Sequence, residues 1–222
     1  RCKAGKAALR PAERQAGMMI FWQARLAVLA VPKTGTQALE SALGPRADMV
    51  IRHPPGLKHL RVRGFQQKIA PLFADDGRPP LQTMALIRDP RDWLGSWYRY
   101  RARPALDGKA NSTKGMSFAD FVTAYLSEDQ PAPARVGRQS KFLRAGGQPI
   151  GVDHLFAYER FDQAISFLES RLRQEIALPA RNVSPPRPLD LPAEVENRLA
   201  EALEEDVALH QMVLDAGGAW HG

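Results

Sequence analysis

The chain has 222 residues, of which 44% are hydrophobic and 25% charged, a composition and length that suit one α/β domain and exclude a disordered or fibrous chain. Its single cysteine, Cys2, excludes an intrachain disulfide framework and a cysteine-based metal site, and no apolar run approaches the ~20 residues of a membrane-spanning helix. The formal charge of +7 comes from dispersed Lys and Arg without the aromatic interleaving of a nucleic-acid binder, which leaves a solvated surface or a cleft for an anionic small molecule.

Residues 1–18 are basic and Ala-rich, lack a signal-peptide core, and are expected to be an extension without function, with Met18 or Met19 as a translation start. Residues 19–222 are expected to form one domain. Leu26 to Val31 is an apolar run of strand type that breaks at Pro32 and passes through Lys33-Thr34-Gly35-Thr36. A helical pattern then follows, with Ala38, Leu39, Ala42 and Leu43 on one face. Strand, tight turn and helix start aim backbone N–H groups and the positive end of a helix at one spot. Gly35 permits close approach, Thr34 and Thr36 add hydroxyls and Lys33 adds a point charge, so the turn reads as phosphate-binding. The spacing is not that of Walker A, and an ordinary strand-to-helix turn capped by Thr has the same outline.

Asp48 to Ile51 reads as a short strand, followed by a loop that carries His53 and His59. Either imidazole has the ordinary pKa of a general base, with His53 slightly ahead because it directly follows the strand, and either has a bland reading as a turn cap or solvent-facing side chain. Residues 61–75 have helical spacing with a restart near Pro71, and the DDGRPP run after them signals a turn. A second strand, Met84 to Ile87, ends in Arg88-Asp89-Pro90-Arg91-Asp92 and leads into a helix whose Trp93, Leu94, Trp97 and Tyr98 read as core. Residues 102–116 are polar and long for a connection, which makes them a candidate lid or acceptor loop. Ser117 caps a helix with Asp120 at its third position, a short helix spans Val136 to Leu143, and His154 to Tyr158 forms a buried strand before a helix over Phe161 to Arg173. A Pro-rich linker holds Asn182-Val183-Ser184, a glycosylation triplet with no secretory context. One amphipathic helix over Ala193 to Leu214 ends the series, with Val195, Leu199, Leu203 and Val207 inward.

PKTGT after one strand and RDPRDWLGSWY after a later one, about fifty residues apart, resemble the sulfotransferase family, and the likeness extends over Leu26 to Pro185. The resemblance implies a three-layer α/β fold, with a central, mostly parallel sheet flanked by helices and a P-loop-like phosphosulfate turn. It implies 3′-phosphoadenosine 5′-phosphosulfate as sulfuryl donor; no metal is expected, because the sequence has no carboxylate–His cluster with ligand spacing. Lys33, Thr34, Gly35, Thr36 and Gln37 would hold the 5′-phosphosulfate, while Arg88 and Ser96, with seven residues between them, would hold the 3′-phosphate. Lys33 would also act on the leaving phosphate, and His53 or His59 would take the acceptor's proton. Gln139 resembles a family position near the donor. The adenine-stacking Trp and the late RKG segment of the phenol-type members are missing here, so the resemblance is closer to carbohydrate-type or bacterial members. It implies a cytoplasmic enzyme acting on a small-molecule or carbohydrate acceptor rather than on nucleic acid. Two other classes share the strand–turn–helix device, a P-loop kinase and a non-catalytic nucleotide-binding module.

Overall fold

Strand periodicity decides where the core sits. In the computed structural model, which describes residues 17–74, 77–178 and 186–222, strands β1 (Met18–Phe21), β2 (Leu26–Val28), β4 (Gln82–Ile87) and β5 (His154–Ala157) are apolar on both faces. Met18, Ile20, Ala27, Ala85, Ile87 and Leu155 enter one cluster, and Met19, Phe21, Leu26, Val28, Met84, Leu86 and Phe156 enter another. Alternation of this kind, with both sides buried, gives the near-continuous apolar runs of a covered sheet. Helices α3 (Val62–Lys68), α6 (Gln139–Leu143) and α9 (Glu204–Asp215) contribute Phe65, Leu143 and Val213 to the first cluster. Helices α1 (Thr36–Leu43) and α7 (Phe161–Leu172) contribute Leu39 and Leu168 to the second.

The six strands run in the order β3-β1-β2-β4-β5-β6, with β3 at Met49–Ile51 and β6 at Ala219–His221. The central pairs β2–β4 and β4–β5 are parallel, but β1–β2, β1–β3 and β5–β6 are antiparallel. The expectation of a mostly parallel sheet is therefore corrected to a mixed one. The reason is local: β1 and β2 are joined by the Trp22–Arg25 turn, too short for a crossover, so they pair as a hairpin. Strand β1 begins at Met18, so the boundary drawn at residues 18 and 19 falls inside a buried strand. Cys2, the basic stretch before Gly17 and the Asn182-Val183-Ser184 triplet lie outside the described residues.

Two further expectations change. The last long helix is two, α8 (Ala193–Ala202) and α9, broken at Leu203 with φ −104 and ψ 11. The break resets the helical phase, so Val207 turns outward at 47% exposure while Asp206, Leu209, His210 and Val213 face in. Residues 102–116 are anchored rather than loose. Buried Thr113 donates to Tyr98 O (2.8 Å), and the Tyr98 hydroxyl, on α4 (Pro90–Arg101), donates to Met116 O (2.8 Å). The Ser117–Asp120 capping box forms as read, opening α5 (Phe118–Leu126). Packing of α4, α5 and α8 makes a third cluster around Trp93, Tyr98, Phe121 and Leu199. Among the described residues no helix is long and apolar enough to cross a membrane.

At the β5–β6 edge, His154 and His221 stand with their Nδ1 atoms 2.8 Å apart, so one ring donates and the other must keep a lone pair. Burial, then the His221 ring, lowers the His154 pKa. A histidine whose pKa is depressed by folding favours the folded state above its ordinary value near 6.5 and loses that contribution as pH falls through it. The melting temperature is expected to drop between pH 7.5 and pH 5. It should drop less in His154→Phe, whose ring would rest beside Phe167, 4.6 Å from the imidazole at present. Equal pH dependence in the two proteins, followed by circular dichroism, would remove the pair from that role.

Candidate functional site

The parallel alignment of β2 and β4 puts the turns at their carboxyl ends side by side, the usual position of a ligand site in an open α/β sheet. After β2 the chain stays buried through Val31 and then turns sharply. Thr34 Oγ1 donates to Val31 O (2.9 Å), so this hydroxyl closes the turn and is not a free donor for a ligand. Gly35 has φ 82, and a Cβ there would lie 2.8 Å from Phe161 Cε2 and 3.0 Å from Tyr158 Cε2. Conformation and space both demand glycine. Gly35 is also the N-cap of α1, and as a glycine it brings no capping side chain to the first N–H groups of that helix. Thr36 is buried in its first turn, and Gln37 is exposed.

Lys33 is the unusual residue of the turn. Its φ is 67, a left-handed conformation that costs a non-glycine residue about 1–3 kcal/mol and persists where surroundings enforce it. The side chain lies against aromatic rings of α4, with Nζ 4.1 Å from the Tyr100 ring centroid and 5.9 Å from that of Trp97. Burial first, then the charges of Arg103, Arg88 and Arg99, pull its pKa down to about 7. Among the described residues Lys33 meets no carboxylate.

The second turn is bonded directly to the first. Arg88 Nη1 donates to Lys33 O (3.2 Å), and Trp93 Nε1 donates to Pro32 O (2.7 Å). Asp89 caps α4 by accepting from Asp92 N (2.8 Å), with Pro90 in the first turn. The Arg88 guanidinium lies 4.4 Å over the Tyr158 ring and donates from Nε to Asp92 Oδ2 (2.7 Å). The other Asp92 oxygen accepts from Arg99 Nη2 (3.2 Å). Asp92 thus restrains two of the arginines that bear on Lys33. Ser96 sits one turn further along α4, on the helical face that carries Asp92, and among the described residues no hydrogen bond joins it to Arg88.

The two histidines part company. His53 is exposed in the loop before α2 (Pro55–Lys58). His59 follows α2, is partly buried, and its Nδ1 lies 2.7 Å from Ala30 O. A carbonyl only accepts, so Nδ1 carries the proton and Nε2 keeps the lone pair. Burial lowers the His59 pKa, the Ala30 bond opposes this, and the Lys58 charge reinforces it, leaving a ring that is neutral near pH 7. His59 lines a cleft of about 160 Å³ that also touches Pro32 and Trp93. A larger cleft, about 440 Å³, lies at the opposite end of the sheet, beside Arg25, Gln82 and Arg171. Its polar groups are engaged with one another and with backbone, as Arg171 with Gln82 and Ala24 O, and Arg25 with Pro79 O.

Several residues that organise the site carried little or no signal. Gln139 clamps the Arg88 peptide on both sides, accepting from Arg88 N (3.0 Å) and donating to Arg88 O (2.8 Å). Buried Asp206 holds Gln139 N (2.9 Å), Ser140 N (3.1 Å) and Ser140 Oγ (2.8 Å). Glu159 accepts from Asp89 N (2.8 Å) and pairs with His210 Nε2 (2.9 Å). Burial alone would raise the Glu159 pKa, but these bonds together hold it below the usual carboxylate range. Arg99 was legible in principle: Asp92, Ser96 and Arg99 stand at steps of four and three, one face of a helix, and Arg103 continues the line past its end. Among the described residues no group of three or more His, Cys, Asp or Glu side chains is placed to hold a metal.

The turn, the start of α1 and the arginines thus gather at two neighbouring strand ends, with Asp92 between Arg88 and Arg99. No protein-family model, curated protein or solved structure matches the chain.

Proposed function

We propose that the chain is a sulfotransferase with a P-loop-like turn in a three-layer fold, which transfers a sulfuryl group from 3′-phosphoadenosine 5′-phosphosulfate to a hydroxyl or amine acceptor. The observation that supports this most is the meeting of the two turns, Arg88 on Lys33 O at 3.2 Å, beneath a lysine with no carboxylate partner among the described residues. A donor with phosphate at each end requires two basic grips at neighbouring strand ends. When bound, that donor supplies an activated sulfuryl group on a phosphate leaving group. The chain's task is alignment and charge neutralisation more than covalent chemistry.

In this reading the backbone from Thr34 to Gln37 and the start of α1 hold the 5′ end, and Lys33 brings its proton to the charge that grows on the leaving phosphate. Arg88 and Ser96 hold the 3′-phosphate, with Arg99 and Arg103 adding charge. Arg88 still has donor capacity beside Asp92, because a guanidinium carries five N–H groups. His59, rather than exposed His53, takes the acceptor proton at Nε2.

Calorimetry with adenosine 3′,5′-bisphosphate, AMP, ADP and ATP tests the proposal. Charge-assisted hydrogen bonds to one phosphate are worth about 1.5–3 kcal/mol each, so the bisphosphate is expected to bind at least about tenfold more tightly than AMP. A preference for ATP would overturn the assignment in favour of a kinase. The pairing of Arg88 with Asp92 favours one second reading, a non-catalytic anion-binding module. Tight bisphosphate binding without turnover across an acceptor panel would support that reading.

A further inference from the structure

The cleft beside His59 has chemistry that the two phosphate-type turns do not use. Its wall combines His59 with Arg61, Trp93, Val136, Arg138 and Phe142. Much of the polar capacity around it is already committed. The Trp93 N–H is given to Pro32 O, the His59 Nδ1 proton to Ala30 O, and both ends of the Gln139 amide to the Arg88 peptide. The indole therefore has only carbon left to offer. What remains among the side chains is one acceptor, His59 Nε2, the donors of Arg61, and those donors of Arg138 that its hydrogen bond to the Tyr125 hydroxyl leaves over. Among the described residues neither Arg61 nor Arg138 pairs with a carboxylate. Two like charges lining one small cleft fit an anionic oxygen group, which arginine binds through paired N–H bonds.

The size narrows the class further. At about 160 Å³ the cleft is below the roughly 300 Å³ of a pocket for a drug-sized molecule, and suits a single ring. The apolar surfaces of Trp93, Val136 and Phe142 match the C–H face of such a ring. We propose that this cleft binds the acceptor, and that the acceptor is a hydroxy acid of one sugar ring or similar size, its carboxylate or sulfate on Arg61 and Arg138 and a hydroxyl on His59 Nε2. The inference rests on the sulfotransferase reading for the word acceptor, since Pro32 and Trp93, which line the cleft, adjoin Lys33 and Trp97 of the donor side. In the transfer itself the hydroxyl oxygen forms the new S–O bond, the S–O bond to the leaving phosphate breaks, and the hydroxyl proton passes to His59 Nε2.

The test uses the whole chain without donor, titrated with glucuronate, glucose and sodium sulfate, and read by calorimetry and by the ¹⁵N and ¹H signals of the His59 ring. Glucuronate is expected to bind saturably and shift the His59 Nε2 signal. Glucose should bind at least tenfold more weakly, and sulfate should bind without moving that signal. Arg61→Gln, at an exposed position where folding is not at stake, should weaken glucuronate at least tenfold and leave the affinity for adenosine 3′,5′-bisphosphate unchanged. Arg138→Gln should weaken glucuronate likewise. Equal binding of glucose and glucuronate, or an Arg61→Gln protein that binds glucuronate normally, would overturn the cleft assignment even where the bisphosphate binds. The converse result, selective glucuronate binding with no affinity for the bisphosphate, would overturn the donor reading and with it the role of acceptor, while the ligand class of the cleft would stand.

Discussion

Lys33→Ala is expected to lower kcat by about a hundredfold or more, because one preorganised donor at the place where charge develops is worth about 3 kcal/mol of barrier. The same substitution should leave the turn's strain unchanged, since alanine bears the left-handed φ of 67 no better than lysine does. Melting temperature should therefore stay near that of the parent while turnover collapses. Lys33→Arg separates charge from proton. With a pKa of about 7 in the free protein, Lys33 is half-neutral at neutral pH, and an anion bound beside it raises that value. Binding then takes up a proton. Affinity for the bisphosphate is expected to be constant below about pH 6 and to fall by up to tenfold per pH unit above 7. Calorimetry in buffers of different ionisation enthalpy measures the proton directly. Arginine does not titrate in this range, so Lys33→Arg should bind with much less pH dependence. A parent protein with flat pH dependence and no proton uptake, or a Lys33→Ala protein with near-normal turnover, would remove Lys33 from the mechanism.

The second large effect is at His59. His59→Ala should reduce kcat by about 10²–10⁴, the usual contribution of a positioned base, with bisphosphate affinity unchanged. His53→Ala should change neither, because that ring stands in the exposed loop. The parent rate should fall on the acid side as His59 takes up a proton. Since burial lowers its pKa, that limb is expected below the ordinary histidine value near 6.5. A loss only at His53 would assign the base to that residue, and equal losses in both variants would remove the assignment to His59.

Much of this arrangement was legible because local chemistry and tertiary placement agree. The runs at Leu26 and Met84 are strands on both counts, and Gly35 sits where the turn needs a positive φ and where Phe161 and Tyr158 leave no space for a Cβ. Sheet direction was harder to read. Four residues, MMIF, look too short to matter, yet they form β1, and the hairpin they make reverses the expected parallel order. Nor does any spacing disclose that Thr34 would spend its hydroxyl on Val31 O, or that Asp92 would occupy Arg88. Those outcomes depend on which groups happen to meet after folding. The choice between His53 and His59 was of the same kind. Sequence ranked His53 first for following its strand directly, whereas one carbonyl, Ala30 O, fixes the tautomer and burial of His59.

The Gln139 amide has a consequence for how the molecule tolerates shortening. It grips both sides of the Arg88 peptide, while the backbone N–H of Gln139 donates to Asp206 near the beginning of α9. A chain cut after α8 would keep every residue of both basic turns, and Gln139 as well, yet lose the carboxylate that holds Gln139 in place. The last twenty residues, which contain no recognisable motif, in this sense help to set where Arg88 stands.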